Sequence, residues 1–388
     1  MISLVQQLTI KNKQENGAKK FMNGKENALT ALSGGFNKVP SLLFTWDFDY
    51  VSKPSGLLPW EIAFGGSRWD TVYDNILSRH GNDILLFAHT SGHGEKDPEL
   101  IEENAEIWRV KDNNSGIIYD MLKSSNTVVN IIYPKEHKSS ETHELNTIED
   151  IDAHTGISTG WHGLYMDRYS AAVRRYNDTL VVPYHCPSYI AACYTLGFER
   201  AMQSMLEDKE FFRHLINRYD MGLDAMMRSW KQGGAEVVFI ADSWASCDII
   251  SPDLFKEFAF PAQCKITQAA HDNGLKIILW NAGNILPILE MEAEAGFDAF
   301  GFEQARKGVD ITVARVREVF KDKCILGNID SEELLISNDR VRIERETESQ
   351  IRQADGKPFI FSQGSPIPQN VSVEAVDVMM NKFKEIIK

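Results

Sequence analysis

The stretch AEVVFIADSWASCDIISPDLFKEFAFPAQCKITQAAHDNGLKIILWNAGN (Ala235–Asn284) decides the fold. Its two short runs, AEVVFIA and LKIILW, are apolar throughout, which is typical of strands in a parallel sheet that is covered on both faces. Between them, Ser251 followed by Pro252 predicts a helix start, and Gly274 predicts the end of that helix. The stretch therefore predicts one strand–helix–strand unit.

Six similar runs lie on either side of this unit. They are SLLFTW (Ser41–Trp46), DILLFAH (Asp83–His89), DTLVVPY (Asp178–Tyr184), FDAFGF (Phe297–Phe302), KCILGN (Lys323–Asn328) and PFIFSQ (Pro358–Gln363). Helical patterns separate the later runs, at Ser251–Asn273, Asn284–Ala295, Asp310–Lys321, Asp339–Gln353 and Ser372–Ile387. Eight strands that alternate with helices predict a (β/α)₈ TIM barrel. An open doubly wound sheet is the alternative, but no GxGxxG or P-loop motif follows any run.

The chain has 388 residues, whereas a typical barrel takes about 250. We assign the surplus to a helical lead-in at residues 1–40 and to an insertion at residues 92–177 between the second and third strands. The alternating segment WRVKDNNSGIIYDMLKSSNTVVNIIYP predicts a small antiparallel β-meander inside that insertion. We expect residues 1–388 to form a single barrel domain, with the insertion capping the barrel mouth.

The charge balance excludes some classes of partner. The chain has 41 Lys and Arg against 55 Asp and Glu, a formal net charge of −14. This acidity argues against binding of nucleic acid and against a polybasic membrane patch. Five scattered cysteines without a CxxC pair favour a reducing compartment. No signal peptide or membrane-spanning run is recognisable, so we expect a cytoplasmic protein.

Barrel proteins place their functional side chains after the carboxyl ends of the strands. The candidates, in strand order, are Asp47, Asp49, His89, His185, Asp242, Trp244, Trp280, Asn281, Glu303, Asn328 and Gln363. We predict that Asp242, Glu303 and His185 act in catalysis, because each can hold or donate a proton beside a strand end. The other residues are predicted to bind substrate.

Several of these residues also have a structural interpretation. Trp244 and Trp280 are either core residues or the floor of a pocket for a flat ligand. Asp330 is more readily explained as a helix cap than as a catalyst. His89 and His93 have the spacing of a metal pair, but Gly92 disfavours a helix there, so this metal signal is weak.

The C-terminal half resembles the uroporphyrinogen decarboxylase superfamily, which includes corrinoid-linked methyltransferases as well as the haem-pathway decarboxylase. The similar stretches are GGAEVVFIADSWASCDIISPDLFKEFAFPAQCKI, HDNGLKIILWNAGNILPILEMEAEAGFDAF and KCILGNIDSEELL. GKENALTALSGGFNKVP resembles the lead-in helix of the family, and YTLGFERAMQSMLEDKEFF resembles its segment after the third strand. The resemblance implies a barrel.

Two motifs of the superfamily are absent. Where the decarboxylases carry an Arg-Gln-Ala-Gly-Arg-Tyr motif that holds substrate carboxylates, this chain reads Thr45-Trp-Asp-Phe-Asp-Tyr50. Where thiol-specific methyltransferases place zinc on His-x-Cys and a later Cys, this chain has Trp280, Ala282 and Ser365. The resemblance therefore implies neither a polycarboxylated tetrapyrrole as substrate nor zinc on the usual ligands.

The leading hypothesis is a methyltransferase that moves a methyl group between a small methylated substrate, such as a methoxylated aromatic or a methylamine-like compound, and a separate corrinoid protein. In this hypothesis Trp244 and Trp280 flank the substrate. The alternative is a metal-independent decarboxylase of a non-porphyrin carboxylate, for which no cationic anchor is evident at the strand ends. A barrel kept only as a binding module is the third option, and a homodimer is left open as the assembly.

Overall fold

The computed structural model of this chain describes residues 22–35, 37–45, 48–64, 68–87, 96–123, 131–132, 145–154, 163–306 and 308–388. The strands are β1 (Ile84–Phe87), β2 (Glu99–Glu103), β3 (Ile107–Lys111), β4 (Ile118–Leu122), β5 (Ile131–Ile132), β6 (Leu180–His185), β7 (Val237–Ala241), β8 (Lys276–Asn281), β9 (Ala299–Phe302), β10 (Cys324–Leu326) and β11 (Phe359–Ile360).

The described helices alternate with the strands of the main sheet. They are α1 (Gly24–Leu32), α2 (Phe48–Ser55), α3 (Pro59–Phe64), α4 (Arg68–His80), α5 (Ile148–Ala153), α6 (Gly163–Arg175), α7 (Ser188–Leu196), α8 (Phe198–Glu207), α9 (Lys209–Asp220), α10 (Leu223–Gln232), α11 (Pro252–Leu254), α12 (Phe260–Asp272), α13 (Leu289–Glu294), α14 (Val313–Phe320), α15 (Leu334–Ser337), α16 (Arg340–Gln353) and α17 (Val373–Ile387). A π-helical turn, Phe255–Ala259, joins α11 to α12, and a 3₁₀ turn, Leu286–Ile288, precedes α13.

Seven parallel strands form the main sheet in the order β1-β6-β7-β8-β9-β10-β11. The first apolar run closes it, because Ser41 bridges to Phe361 beside β11 and Leu42 bridges to Ile84 in β1, both in parallel. The first strand is therefore shorter than predicted, with ladder contacts at two residues. The eight positions confirm the predicted TIM-barrel fold.

Alternate residues of each barrel strand enter two separate cores, which explains why the runs are apolar throughout. In β7, Val237 and Phe239 belong to the core inside the barrel, whereas Val238 and Ile240 pack against the outer helices. Side chains of successive strand residues point to opposite faces of a sheet. The parity of a residue therefore decides whether a polar group at a strand end faces the barrel mouth or the surrounding helices.

The lead-in helix α1 lies at the amino ends of the barrel strands. Asn23 and Glu26 form a capping box at its start, and Gly34 ends it in the left-handed region with φ of +80°. The Lys25 N–H donates to the carbonyl of Asp178 at 2.8 Å, two residues before β6. Ala28 and Ala31 join the core inside the barrel, so this helix covers the end opposite the candidate site.

The predicted meander forms an antiparallel sheet in the order β2-β3-β4-β5 within residues 92–177. The Asp112 carboxylate accepts from the Ser115 hydroxyl at 2.6 Å and stabilises the turn between β3 and β4. This sheet packs against α3, where Phe64 stacks on Tyr119 with ring centroids 4.8 Å apart. Its place over the barrel mouth stays a prediction.

Helix α6 also falls within residues 92–177, but it packs on the barrel as the helix that precedes β6. The Tyr169 hydroxyl donates to the carbonyl of Val181 at 2.9 Å.

The C-terminal helices agree with the sequence patterns. Ser251 caps α11 by accepting from the Leu254 N–H at 3.2 Å, with Pro252 in the first turn as predicted. Gly274 follows α12 with φ of +66°, as the predicted helix exit requires. None of the helices in the described ranges combines the length and the apolar character needed to cross a membrane.

Candidate active site at the barrel mouth

Glu303 is a buried carboxylate at the carboxyl end of β9. Side chains alternate along β9: Ala299 belongs to the inner core, whereas Phe300 and Phe302 belong to the outer core. Glu303 follows Phe302, so its side chain faces the barrel interior. Its Oε2 accepts from the Gly283 N–H at 2.8 Å, and its Oε1 lies 3.2 Å from the Ser365 hydroxyl. Arg306 forms an ion pair with the same carboxylate. Both oxygens thus serve as acceptors, which suits a fixed negative charge better than a proton donor.

Arg306 is a functional candidate that sequence reasoning missed. Its Nη1 lies 3.0 Å from each carboxylate oxygen of Glu332, while its Nη2 pairs with Glu303. The signal was present in the i,i+3 spacing of Glu303 and Arg306 directly after an apolar run. We call Glu303, Gln304, Arg306 and Ser365 the mouth cluster; the Ser365 hydroxyl lies 2.9 Å from the Gln304 Oε1.

Trp280 forms an apolar wall next to the mouth cluster. Its indole N–H donates to the carbonyl of Gly364 at 2.8 Å, and its ring meets Phe44 edge-on with centroids 5.3 Å apart. A Cβ on Gly301 would lie 3.1 Å from the Trp280 Cδ1. The indole therefore covers the inner face of β9 two residues before Glu303, and Gly301 provides the space for it.

A second group of polar side chains, the buried acid cluster, lies between the sheet and helices α12 and α13. It consists of Asp242, Gln263, Asn281 and Glu292, all of which are fully buried. Gln263 Nε2 donates to Asp242 Oδ2 at 3.0 Å, and Asn281 Nδ2 donates to Glu292 Oε1 at 2.7 Å. The second oxygen of each carboxyl group has no hydrogen-bond partner in the described part of the chain.

Burial raises the pKa of both carboxyl groups in this cluster. The pKa of Asp242 rises to about 7, against the opposing effect of the Gln263 hydrogen bond. The pKa of Glu292 rises to about 8; burial is the main cause, the Asn281 hydrogen bond opposes it, and the charge of Asp242 adds to it. Glu292 is therefore mostly a neutral carboxylic acid at pH 7, when the chain is folded.

We expect Glu292→Gln to flatten the dependence of stability on pH. Because the folded pKa is raised, the native state of the unmodified chain loses stability as pH rises from about 4.5 toward about 8. At about 1.4 kcal/mol per pH unit, removal of this group should reduce the loss between pH 5 and pH 8 by roughly 3 kcal/mol. The measurement is the free energy of unfolding in urea at intervals over that range.

Glu290→Gln, at an exposed position in the same helix, is the matched control for this measurement. It should leave the pH profile parallel to that of the unmodified chain. If Glu292→Gln also gives a parallel profile, Glu292 does not carry a raised pKa.

The structure places Asp242, another predicted catalyst, away from the mouth cluster. Asp242 follows Ala241 with the outward parity of Ile240, so its carboxyl group lies behind the barrel wall rather than in the mouth. His185 ends β6 and is half-buried. The catalytic roles of Asp242 and His185 stay predictions. In this conformation the Asp242 carboxyl group lies on the side of the sheet that faces the helices, so it has no direct access to the barrel mouth.

The two candidate tryptophans belong to different layers. Trp280 lies in the core inside the barrel, whereas Trp244 is partly buried against the outer core. Trp244 meets Tyr194 and Phe198 edge-on, with ring centroids 5.0 and 5.2 Å away. The two rings thus pack in different clusters, and a shared floor for a flat ligand stays a prediction.

The structure also describes the polar candidates that follow β8, β10 and β11. Gln363 Oε1 accepts from the Phe44 N–H at 2.8 Å, which ties the first strand to the end of β11. Asn328 is half-buried after β10. Asp330 Oδ1 accepts from the Glu332 N–H at 2.8 Å and from the Glu333 N–H at 2.9 Å, so it stabilises the turn before α15 rather than the N-cap position, which Glu333 occupies. Asn281 and Gln363 are buried, and their contacts hold the barrel wall; binding of substrate by Asn281, Asn328 and Gln363 stays a prediction.

The remaining candidates lie outside the described residues. These are Asp47, His89 and His93, and for Asp49 only the backbone, within α2, is described. In the described ranges, no group of three or more His, Cys, Asp or Glu side chains is arranged to hold a metal ion. The weak signal of a His89–His93 metal pair therefore stays a prediction.

Together, the closed parallel barrel and the polar cluster at the carboxyl ends of its strands define a (β/α)₈-barrel protein with the layout of barrel enzymes. The family model described as uroporphyrinogen decarboxylase (URO-D) matches residues 164–386. The chain belongs to this uroporphyrinogen decarboxylase family. The matched region contains both the mouth cluster and the buried acid cluster.

Relatives with two different activities are similar to this chain. A uroporphyrinogen decarboxylase of Granulibacter bethesdensis is 27% identical over 220 residues, covering 54% of this chain and 61% of the relative. A methylated-thiol–coenzyme M methyltransferase of Methanosarcina mazei is 24% identical over 199 residues, covering 50% of this chain and 52% of the relative. The chain thus spans about half to three-fifths of the length of these two relatives.

A solved structure extends the similarity of the fold to nearly the whole chain. A methyltransferase from Methanosarcina mazei superposes with a TM-score of 0.69 at 17% sequence identity, covering 95% of this chain and 100% of that protein. At this level of identity the likeness establishes the fold alone.

Proposed function

We propose that the chain is a methyltransferase of a corrinoid-dependent one-carbon system, which moves a methyl group between a small methylated substrate and a corrinoid protein. Family membership and the methyltransferase relative support an enzyme of this superfamily. The choice between methyl transfer and decarboxylation is based on the charges at the barrel mouth.

One observation carries the proposal. The segments that resemble zinc-binding segments in thiol-specific methyltransferases converge here on the Glu303 carboxylate, through the Gly283 N–H and the Ser365 hydroxyl. Trp280, Ala282 and Ser365 supply none of the usual zinc ligands, so the residues do not fit that metal. A thiol would lack the metal that holds it as a thiolate at neutral pH. We therefore place this chain on the side of the system that handles a methylated compound other than a thiol.

The residues at the mouth would bind and orient that compound. A reduced corrinoid on the partner protein would supply the nucleophile that accepts the methyl group. Glu303 would provide a negative charge beside the apolar wall of Trp280. The Gly283 N–H and the Arg306 guanidinium would hold this carboxylate in place, together with the Ser365 hydroxyl, which is shared between Glu303 and Gln304. The buried acid cluster would support the β8 end, because Asn281 directly precedes the segment that positions Gly283.

Arg306 favours decarboxylation as the second candidate. Sequence reasoning found no cation at the strand ends, and the structure places a guanidinium there, beside Glu303. A decarboxylase could use it to anchor the carboxylate of its substrate. However, Arg306 already faces two glutamates, so an incoming carboxylate would have to displace one of them.

Two substrate panels distinguish the two activities. The purified chain is mixed with cob(I)alamin and a set of methoxylated aromatics and methylamines, and formation of methylcobalamin is followed optically. We expect turnover with at least one member and no release of CO₂ from a panel of aromatic and aliphatic carboxylates. CO₂ release without methylation would replace this proposal by the decarboxylase.

A further inference from the structure

We propose that the mouth cluster binds a methylated ammonium cation and that Arg306 occupies the place of this cation when no substrate is bound. The inference extends the proposed function by naming the substrate class. Binding of the cation is measured without methyl transfer, so this inference and the proposed function can fail separately.

The charges around Glu303 favour a cation. Glu303 and Glu332 share a single guanidinium, which leaves that group with a net charge of −1. Asp248 adds a third carboxylate, because its Oδ2 accepts from the Asn284 N–H at 2.9 Å, one residue after Gly283. Glu303 is buried, whereas Glu332 and Asp248 are open to solvent, so the excess negative charge acts most strongly at Glu303, where it attracts cations and repels carboxylates.

The wall next to this charge is aromatic. The Trp280 indole covers Gly301 just below Glu303, and Phe44 packs on that indole at 5.3 Å between centroids. Methylated ammonium groups are bound by aromatic faces together with a carboxylate, since the positive charge is spread over the methyl groups.

Arg306 is arranged to exchange with such a cation. It is held by two carboxylates at once, and its contact with Glu332 uses both oxygens of that group. If a substrate cation takes the Glu303 carboxylate, Arg306 keeps Glu332 as its partner and no buried charge is left unpaired. The Arg306 side chain is about one-third exposed, so the displaced guanidinium has access to solvent.

A cationic substrate also simplifies the chemistry of the leaving group. When the C–N bond breaks, its electron pair stays on nitrogen, and the positive charge of the ammonium group is cancelled. The amine leaves as a neutral molecule, and the methyl group moves to the nucleophile. No proton donor is required, which agrees with Glu303 being placed as an acceptor.

The test is a titration of the full chain with tetramethylammonium chloride at constant ionic strength, measured by isothermal calorimetry. We expect saturable binding that weakens about tenfold or more in Glu303→Gln, because the counter-charge is lost. In Arg306→Gln we expect binding about threefold or more tighter, because the internal competitor is lost. Circular dichroism and thermal melting establish that each variant is folded.

Three controls make this result specific. Arg315→Gln removes an exposed arginine whose guanidinium contacts the carbonyl of Asp310, and it should bind like the unmodified chain. Choline and 3,3-dimethylbutan-1-ol have a similar shape around their quaternary centre, but only choline is charged. We expect the neutral alcohol to bind at least tenfold more weakly than choline. Benzoate should not compete with tetramethylammonium.

Absence of tetramethylammonium binding would overturn this inference, and so would weaker binding in Arg306→Gln. If binding is absent while methoxylated aromatics methylate cob(I)alamin, the proposed function stands and the cation inference fails. If tetramethylammonium binds as expected while every methyl donor is inactive, the inference stands and the proposed function fails.

Discussion

Replacing Glu303 by glutamine is expected to lower kcat/KM for methyl transfer by about 100-fold, equivalent to about 2.7 kcal/mol of transition-state stabilisation. Glutamine keeps the size of the side chain and an acceptor for the Gly283 N–H, but it removes the charge that pairs with Arg306. The amide NH₂ group would also face a guanidinium, which has no acceptor. The measurement is the rate of cob(I)alamin methylation with the best donor of the panel.

Glu332→Gln is the matched control for this variant. It removes the other carboxylate on Arg306, but the Glu332 side chain is 45% exposed, whereas that of Glu303 is 5% exposed. Exposed ion pairs contribute little interaction energy, so we expect kcat/KM for methyl transfer to change by about threefold or less in Glu332→Gln. Equal losses in the two variants would mean that the rate depends on Arg306 and not on the buried charge of Glu303.

Gly364→Ala is expected to give the largest loss of stability among single substitutions near the site. An added Cβ would lie 2.4 Å from the backbone nitrogen of Gln304, where no flexible side chain can move aside. The Trp280 indole donates to the Gly364 carbonyl, and the neighbouring Ser365 belongs to the mouth cluster. The substitution would therefore separate Trp280 from the mouth cluster. We expect a loss of about 3 kcal/mol or more in the free energy of unfolding in urea, with loss of methyl transfer.

Gly356→Ala separates this clash from the general cost of replacing glycine. Gly356 has φ of +66° and no atom within 4 Å of an added Cβ, so the substitution costs about 1 kcal/mol of backbone strain. If the two alanine variants lose the same stability, the close contact between Gly364 and Gln304 does not exist as described.

The barrel was predictable because its strands are buried on both faces. Continuous apolar runs, helix caps and glycine exits gave seven strands and the later helices within a few residues. The first strand was predicted too long, because the Thr45 N–H bonds to the carbonyl of Leu43 at 2.9 Å and this tight turn takes the chain out of the ladder. Local turns of this kind compete with strand pairing and leave no clear signal in apolarity.

The candidate site was only partly predictable, because the position after a strand does not fix the direction of a side chain. Asp242 and Glu303 both follow apolar runs, yet one has outward parity and the other has inward parity. Counting every second residue from Val237 and from Ala299 separates them, but only the structure shows that these two residues face the barrel interior. Arg306 lies beyond the strand, where the backbone loses this periodicity; its i,i+3 spacing from Glu303 was the available signal, and the structure shows that the two side chains form an ion pair.

Glu292 was missed for a different reason. It lies in LEMEAE, where three glutamates suggest a solvated helix face. However, Ile285, Ile288, Leu289 and Glu292 follow the i, i+3, i+4, i+7 spacing of a buried stripe, and the structure buries all four. A charged residue on an apolar stripe was the available signal, and burial is the cause of its raised pKa.

Transfer of an intact methyl group is the central claim, and an isotope experiment tests it most directly. The purified chain is incubated with cob(I)alamin and the active donor labelled with ¹³C in its methyl group, and both products are analysed by mass spectrometry. The proposal predicts one labelled methyl group on each methylcobalamin and a demethylated product that has lost one methyl group. Methylcobalamin without label, or ¹³C retained in the donor while an unlabelled carboxyl group leaves as CO₂, would contradict it.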